Sequence, residues 1–517
     1  MIPSFIIRRF RERKLNDYRP YTKLSAGELL RLRKKLPVRP PIWNPLQLHQ
    51  KRMLVVGAQT GRFAFHADTG TGKTYTAVAL VRYFKKLGRV KQTLVLVPNK
   101  TNKAEWARNV KKHSTSTKVC VLTGSSIKKW EQFNATDADL IVETYAGLMR
   151  MVSTMVKAKR KNRRKLKWNQ TKIKNLCEKV NGLILDESTL VKTKSKLPFR
   201  IARQISKRCT IVFALTGTPF GKEPMDLWAQ FYLVDGGETL GPTLGLFREV
   251  FYSATKGFWG GTTYKFKKKM KSELHRMIAN RSISIPADSA DLPTVVSVPV
   301  LVKLPKDAIE YARSAKDAVI KAHGNYQEMK NAFLRMRQIS SGYLGYVDDE
   351  LGEKVQYHFP TNPKLEALIA KIQEISADKI IVFHEYTASG DTIAAKLKEL
   401  SIKFVRVYGK TKEPEKLLQQ FDEDPKTQVL LLNNAAGGFG LNLQVARYGM
   451  VYESPVSPIM RKQVLARFIR QHSKHRTVFL YDYICRGTYD QRILDAIAAG
   501  RDLFEAIILG KDQRTKR

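Results

Sequence analysis

Short apolar runs recur along this chain, each followed by a stretch with helical spacing. Thr93-Leu-Val-Leu-Val97, Leu140-Ile-Val142, Gly182-Leu-Ile-Leu185 and Thr210-Ile-Val-Phe-Ala-Leu215 form one series. Lys379-Ile-Ile-Val-Phe383, Phe404-Val-Arg-Val407, Val429-Leu-Leu-Leu432, Gly449-Met-Val-Tyr452 and Thr477-Val-Phe-Leu-Tyr481 form a second. The runs are apolar at consecutive rather than alternate positions. A strand of that kind is buried on both faces, the condition of a parallel sheet covered by helices on either side. The two series therefore predict an α/β protein with two parallel-sheet lobes, 41–235 and 364–517, the second closing in a C-terminal helix. Between them the pattern changes. Phe247–Lys271 mixes aromatics with cations and Ala308–Ile339 has the spacing of one long amphipathic helix, so 236–363 is expected to be a helical insertion between the lobes. Residues 1–40 predict a basic helical extension running into the proline-rich stretch at Pro37–Pro41.

Composition fits that picture and adds a partner. A chain of 517 residues is too long for one core. No apolar run approaches the ~20 residues that span a bilayer, so no membrane association is expected. Met1–Arg13 mixes apolar residues with arginine, but Glu12 and Asp17 follow at once, and the segment reads as mature chain rather than a transit peptide. The 92 Lys and Arg against 46 Asp and Glu leave a net charge of +46. A surplus of that size repels itself, and a polyanion is its natural complement; nucleic acid leads because each neutralised phosphate releases a condensed counterion. Cys120, Cys177, Cys209 and Cys485 share no metal-type spacing and predict buried free thiols in a reducing cytoplasm, bacterial or that of a viral host.

The strongest local signal is Ala67-Asp68-Thr69-Gly70-Thr71-Gly72-Lys73-Thr74, between a strand-like run at Arg62–Phe65 and a helix-like run at Tyr75–Leu80. Gly70 and Gly72 let the backbone fold into a nest whose N–H groups face phosphate oxygens, and the helix start adds partial positive charge. Lys73 would reach the β- and γ-phosphates, and Thr74 would offer a hydroxyl to Mg²⁺. Further on, the run ending at Leu185 feeds into Asp186-Glu187-Ser-Thr189. Two carboxylates at the end of a strand suit a metal ligand, Asp186, and a base that deprotonates water, Glu187. Phosphate nest, metal carboxylate and base carboxylate together specify hydrolysis of a nucleoside triphosphate, with ATP and Mg²⁺ as the expected cofactors.

From about Pro41 to Gln491 these segments, in this order, resemble the Swi/Snf-type ATPases of the superfamily-two helicases and translocases. Leu46-Gln-Leu-His-Gln50 is similar to the adenine-reading segment, with Gln50 at the glutamine position. Pro98 with Trp106, and then Glu143-Thr-Tyr145, resemble segments that contact the nucleic-acid backbone. Leu215-Thr-Gly-Thr-Pro219 with Asp226-Leu-Trp228 resembles the element coupling hydrolysis to motion, although Gly221 stands where the family often has asparagine. Asp291-Leu-Pro293, Tyr311 and Leu334-Arg-Met-Arg-Gln-Ile339 match elements between the lobes. Ala436-Gly-Gly438-Phe-Gly-Leu-Asn-Leu443 resembles the glycine-rich motif facing both ATP and nucleic acid. Gln463-Val-Leu-Ala-Arg467-Phe-Ile-Arg470 resembles the arginine-finger helix, with Ile469 in place of a common histidine. The resemblance implies two RecA-like lobes and a DNA-stimulated ATPase acting without sequence preference. It also implies that Arg467 and Arg470, three apart and so on one helix face, complete the site when the lobes close.

Two basic stretches remain. Lys157–Lys174 holds ten Lys or Arg and no acid, interrupted by Trp168; it reads either as a charged loop or as a clamp on phosphate. Phe258-Trp-Gly-Gly261 with Tyr264-Lys-Phe-Lys-Lys-Lys269 interleaves aromatics with cations, either as core of the insertion or as a wedge for paired strands. The reading is therefore a motor on DNA, duplex or branched. Its alternatives are a fork- or junction-remodelling helicase of recombination or repair, and an inactive nucleic-acid-binding scaffold. Protein partners are not legible.

Overall fold

A computed structural model of the protein describes residues 24–68, 70–157, 164–217, 224–256, 262–286, 292–321, 326–347, 354–375, 377–409, 411, 413–435, 443–469 and 473–499. The chain divides into two compact units, Met1–Ala290 and Asp291–Arg517.

The first unit is built on seven strands. Across the sheet they run Ser282–Ile285, Arg62–Ala67, Ile211–Thr216, Val180–Asp186, Gln92–Val97, Leu140–Thr144 and Val119–Val121, and every pairing is parallel. The expected apolar runs are these strands. Leu94–Val97, Leu183–Leu185 and Ile211–Leu215 are buried throughout, as consecutive apolar positions require in a sheet covered on both faces. Two core clusters lie against it. One contains Met53, Val78, Tyr83 and Trp106, the other Leu148, Leu176, Phe199, Trp228 and Phe247. In the N-terminal extension, Ala26–Lys34 is a helix opened by a capping box in which Ser25 and Glu28 satisfy each other's backbone N–H groups.

The second unit carries six parallel strands in the order Thr294–Val302, Thr477–Cys485, Tyr448–Val451, Ile380–His384, Val429–Asn433 and Phe404–Val407. Two parallel sheets with helices confirm the two-lobe α/β class. No helix among the described residues is long and apolar enough to cross a membrane.

The stretch 236–363 differs from the single helical insertion expected. Its first part stays with the first unit, where Ser282–Ile285 forms the edge strand beside Arg62–Ala67. Its next part, Thr294–Val302, pairs with Thr477–Cys485 over nine residues as the edge of the second sheet. Pro299 hides that strand from a pattern reading, and an edge is where a sheet tolerates proline. The long helix expected over Ala308–Ile339 is two, Lys306–Lys321 and Tyr326–Ser340. Residues 322–325 between them lie outside the described residues. Part of the basic run lies within described elements. Ser153–Lys157 pairs antiparallel with Arg164–Trp168, and the helix Gln170–Lys179 follows. A second hairpin joins Tyr252–Lys256 to Thr262–Phe266, and its Tyr264 and Phe266 pack on the core beside Arg248 and Tyr252. Phe258 and Trp259 lie outside the described residues.

One buried ion pair ties the second unit together. Lys364, 2% exposed, places Nζ 2.7 Å from the Asp490 carboxylate, which also accepts from Ser340 Oγ and the Cys485 N–H. Breaking such a pair strands a charge, whereas replacing both partners with apolar groups restores much of the loss. Lys364→Met should cost about 3 kcal/mol in urea denaturation followed by circular dichroism, and Lys364→Met with Asp490→Leu should recover most of it.

Candidate active site

Parallel strands deliver all their C-terminal ends to one rim. By register Phe65 lies level with Leu215, and Leu215 with Asp186. Two strand spacings of about 4.8 Å therefore set the glycine loop after Ala67 roughly 10 Å from the carboxylate pair.

The loop closes directly into the helix Lys73–Lys86. Gly70 (φ 86°) and Gly72 (φ 80°) occupy left-handed conformations that other residues adopt only with strain. A Cβ at Gly72 would also fall 2.1 Å from Gln50 Nε2. With Gly72 at the N-cap, no cap side chain bonds the first turn, whose N–H groups include those of Lys73 and Thr74. The loop is braced from the helix Leu48–Thr60. His49 Nε2 (2.8 Å) and Gln50 Nε2 (3.1 Å) both donate to the Thr71 carbonyl, and Gln50 Oε1 accepts from the Gln47 N–H. Burial lowers the pKa of His49, keeping it neutral. Thr71 Oγ1 donates to the Asp68 carbonyl at 2.7 Å. Lys73 Nζ donates to the carbonyls of Ala67 (2.6 Å) and Asp68 (3.2 Å), curling over the nest it belongs to. Thr69 lies outside the described residues.

Asp186 ends its strand, and Glu187 follows with φ 49°, a left-handed non-glycine residue that the surroundings must hold in place. Trp106 Nε1 donates to Asp186 Oδ2 at 2.8 Å and the Glu187 N–H to Oδ1 at 3.2 Å; Tyr145 OH donates to the Asp186 carbonyl at 2.9 Å. Thr216 Oγ1 donates to Glu187 Oε2 at 3.3 Å. The turn beyond is pinned to the helix Asp226–Asp235 by Ser188 Oγ to Gln230 (2.6 Å) and by Lys192 to Asp226 (2.9 Å). Burial, then the Glu187 charge, push the Asp186 carboxyl up to about 6, while the Trp106 N–H and the Lys73 ammonium act in the opposite sense.

These donors suit a hard divalent ion. A carboxylate crowded by dryness and by a like charge gains from a cation, and the Thr74 hydroxyl is an oxygen ligand of the kind Mg²⁺ takes. Among the described residues no three His, Cys, Asp or Glu form a protein-only metal cage.

One candidate is placed differently from expectation. Trp106, expected in a segment facing nucleic acid, is 2% exposed and turned onto Asp186. Arg467 sits in the last turn of Pro458–Phe468. Arg470 and Gly438 lie outside the described residues. The bracing roles of His49, Trp106 and Tyr145 escape a motif reading. For Trp106 and Tyr145 the available signal is chemical: a buried indole N–H or phenol O–H needs an acceptor.

The raised carboxyl implies a stability cost at neutral pH. A folded-state pKa of about 6 against 3.8 unfolded means the native anion is disfavoured above pH 6, a deficit that vanishes as pH falls below 3.8. Asp186→Asn should stabilise the protein by about 1–2 kcal/mol at pH 7.5 without nucleotide or divalent ion, discounting for partial exposure. The gain should shrink toward pH 4, read from urea midpoints at the two pH values.

Comparison with known proteins bears on this geometry. The family model SNF2-related domain matches residues 62–341, and Helicase conserved C-terminal domain matches 363–472. Protein p41 of Acyrthosiphon pisum secondary endosymbiont phage 1 is 24% identical over 83% of this chain and 90% of its own length. The ISWI chromatin-remodeling complex ATPase ISW1 of Saccharomyces cerevisiae is 20% identical over 83% of this chain and 37% of its own. The chain spans only 12% to 37% of the length of three eukaryotic DNA-repair and chromatin-remodelling proteins that it matches. Among solved structures, the SWI2/SNF2 ATPase core of Sulfolobus solfataricus in complex with dsDNA aligns over 92% of this chain and 95% of that one, at 20% identity and a TM-score of 0.40. With one family model covering more than half of its residues, and the phosphate loop and carboxylate pair within the matched span, the chain belongs to the SNF2-related family of helicase- and translocase-type ATPases.

Proposed function

We propose that this ATP-hydrolysing enzyme couples turnover to sequence-independent movement along double-stranded DNA. The observation that carries the reading is the meeting, on one rim of one sheet, of a glycine nest with Lys73 and the Asp186–Glu187 pair, in a chain of net charge +46. In this reading the nest and first-turn N–H groups receive the phosphates. Lys73 exchanges the Ala67 and Asp68 carbonyls for phosphate oxygens. Thr74 and Asp186 would hold Mg²⁺, which would supply positive charge to the phosphate oxygens. Glu187, kept in orientation by Thr216, takes the proton of the attacking water. Gln50 and Asp68 support the loop on the nucleotide side. Gly438, Arg467 and Arg470 are carried as nucleotide- and charge-stabilising residues on the strength of the family resemblance. The lysine and arginine surplus meets backbone phosphate, and no base-edge reader is assigned. A role in viral or bacterial DNA repair or recombination, in the cytoplasm, belongs to the same proposal.

Phosphate release measured with duplex, single-stranded and forked DNA and with RNA, at two salt concentrations, tests it. Duplex DNA should stimulate hydrolysis about tenfold or more, with affinity falling steeply as salt rises. Lys73→Ala and Glu187→Gln should each lower the stimulated rate by roughly 100-fold. Hydrolysis indifferent to every polynucleotide would overturn the motor reading.

One observation favours a second reading, strand separation at forks and junctions. The antiparallel hairpin Tyr252–Lys256/Thr262–Phe266 borders Phe258 and Trp259 and exposes Lys265. If the hairpin is a wedge, Phe258→Ala with Trp259→Ala should abolish release of a labelled strand from a fork while sparing duplex-stimulated hydrolysis. A wild-type protein that releases no strand removes this second reading.

A further inference from the structure

Asp186 and Glu187 are held by two buried aromatic residues from separate elements. Trp106 stands on the helix Lys100–His113, whose start is fixed by Asn99 Oδ1 accepting from the N–H groups of Thr101 and Asn102. Lys103, three residues earlier and hence on the same face, is buried and bonded to Glu143 at 3.1 Å. The helix therefore has two inward anchors, and the second is the indole. Tyr145 opens the helix Tyr145–Met151, with Thr144 as its cap. It is buried, and its hydroxyl crosses to the Asp186 carbonyl. Burial and the nearby Asp186 and Glu187 charges raise its pKa, so it stays a phenol and a donor.

The two donors act on different atoms. The Trp106 N–H occupies one lone pair of Oδ2 and the Glu187 N–H one of Oδ1. Each oxygen keeps a second lone pair, and the rotation of the carboxylate is fixed. The Tyr145 hydroxyl holds the carbonyl of the peptide leading into Glu187, the residue at φ 49°. Strain of that kind persists only where neighbours over-determine it. One aromatic thus sets the direction of the Asp186 oxygens and the other the turn that aims the Glu187 side chain.

We propose that Trp106 and Tyr145 are positioning residues for the carboxylate pair: Trp106 presents Asp186 to the divalent ion, and Tyr145 holds Glu187 in the conformation from which it takes the proton of water. The inference rests on the nucleotide-site reading of the same rim. Each aromatic acts through the residue it holds. Outer partners of this kind typically contribute tenfold or more to metal affinity or rate.

The test uses the full-length protein and fluorescence anisotropy of mant-ADP with Mg²⁺ or with EDTA, alongside steady-state ATP hydrolysis. Wild type should bind mant-ADP more tightly with Mg²⁺; if it does not, the metal-site reading itself fails, independently of the aromatics. Trp106→Phe, which removes the donor and keeps a ring, should lose about tenfold of the Mg²⁺-dependent gain while its affinity in EDTA stays within twofold of wild type. Tyr145→Phe, which deletes one oxygen, should lower kcat about tenfold with KM and the Mg²⁺-dependent gain preserved. A folded Trp106→Phe protein with the full Mg²⁺ gain, or a Tyr145→Phe protein with kcat within twofold of wild type, overturns the assignment. Should Trp106→Phe fail to fold, Tyr145→Phe decides alone.

Discussion

In a parallel sheet every strand points its last residue to the same side, and whatever the sequence places there meets in three dimensions however far apart it is in the chain. Ala67, Glu143, Asp186 and Thr216 are such last or near-last residues in the first unit. This one geometric fact assembles the glycine nest and the carboxylate pair without any local sequence relation between them. It also gathers charge at the mouth of a dry layer, where an ion is expensive unless something answers it.

Two carboxylates on that rim are answered in opposite ways. Glu143 is fully buried and sits between Lys103 at 3.1 Å and Lys129 at 2.7 Å, with the Thr144 N–H on Oε1. Its charge is settled within the protein, and its work is to lock two helices to a strand. Asp186 receives an indole N–H and one backbone N–H, with Lys73 as the cation acting on it and Glu187 adding a like charge. It is left under-compensated, and the consequence is the carboxyl raised to about 6. A carboxylate that the fold has neutralised is structural. One that the fold has oriented but not neutralised is suited to a charge that arrives from outside.

Most of the frame was legible in the chain. Consecutive apolar runs marked the central strands of both sheets, because those strands are covered on both faces and only one pattern satisfies that. The glycine loop and the Asp-Glu pair were legible for the same kind of reason: left-handed backbone at Gly70 and Gly72, and a strand end at Asp186, leave few residue types that serve. The edge strand Phe404–Val407 was legible too, but Ser282–Ile285, Val119–Val121 and Thr294–Val302 were not. Thr294–Val302 has Pro299 inside it, with six of its nine positions exposed and none buried, so its pattern resembles neither a core strand nor a helix. The division into the helices Lys306–Lys321 and Tyr326–Ser340 is not legible, because the apolar spacing of 308–339 is that of a single helix. At the site, the role of side chains that act by holding others left no signal in the motifs that contain them. The contacts of Trp106 and Tyr145 with Asp186 span 80 and 41 residues, and only the fold brings them together.

Glu187 draws evolution and thermodynamics into conflict at a single codon. Its left-handed backbone costs a side-chain-bearing residue of the order of 1 kcal/mol that glycine does not incur, and its charge crowds a neighbour already short of solvent. Glycine there would relax both, at the loss of the proposed proton acceptor. Under mutational drift, with no selection for turnover, this is a position where the lineage would trade catalysis for robustness most readily.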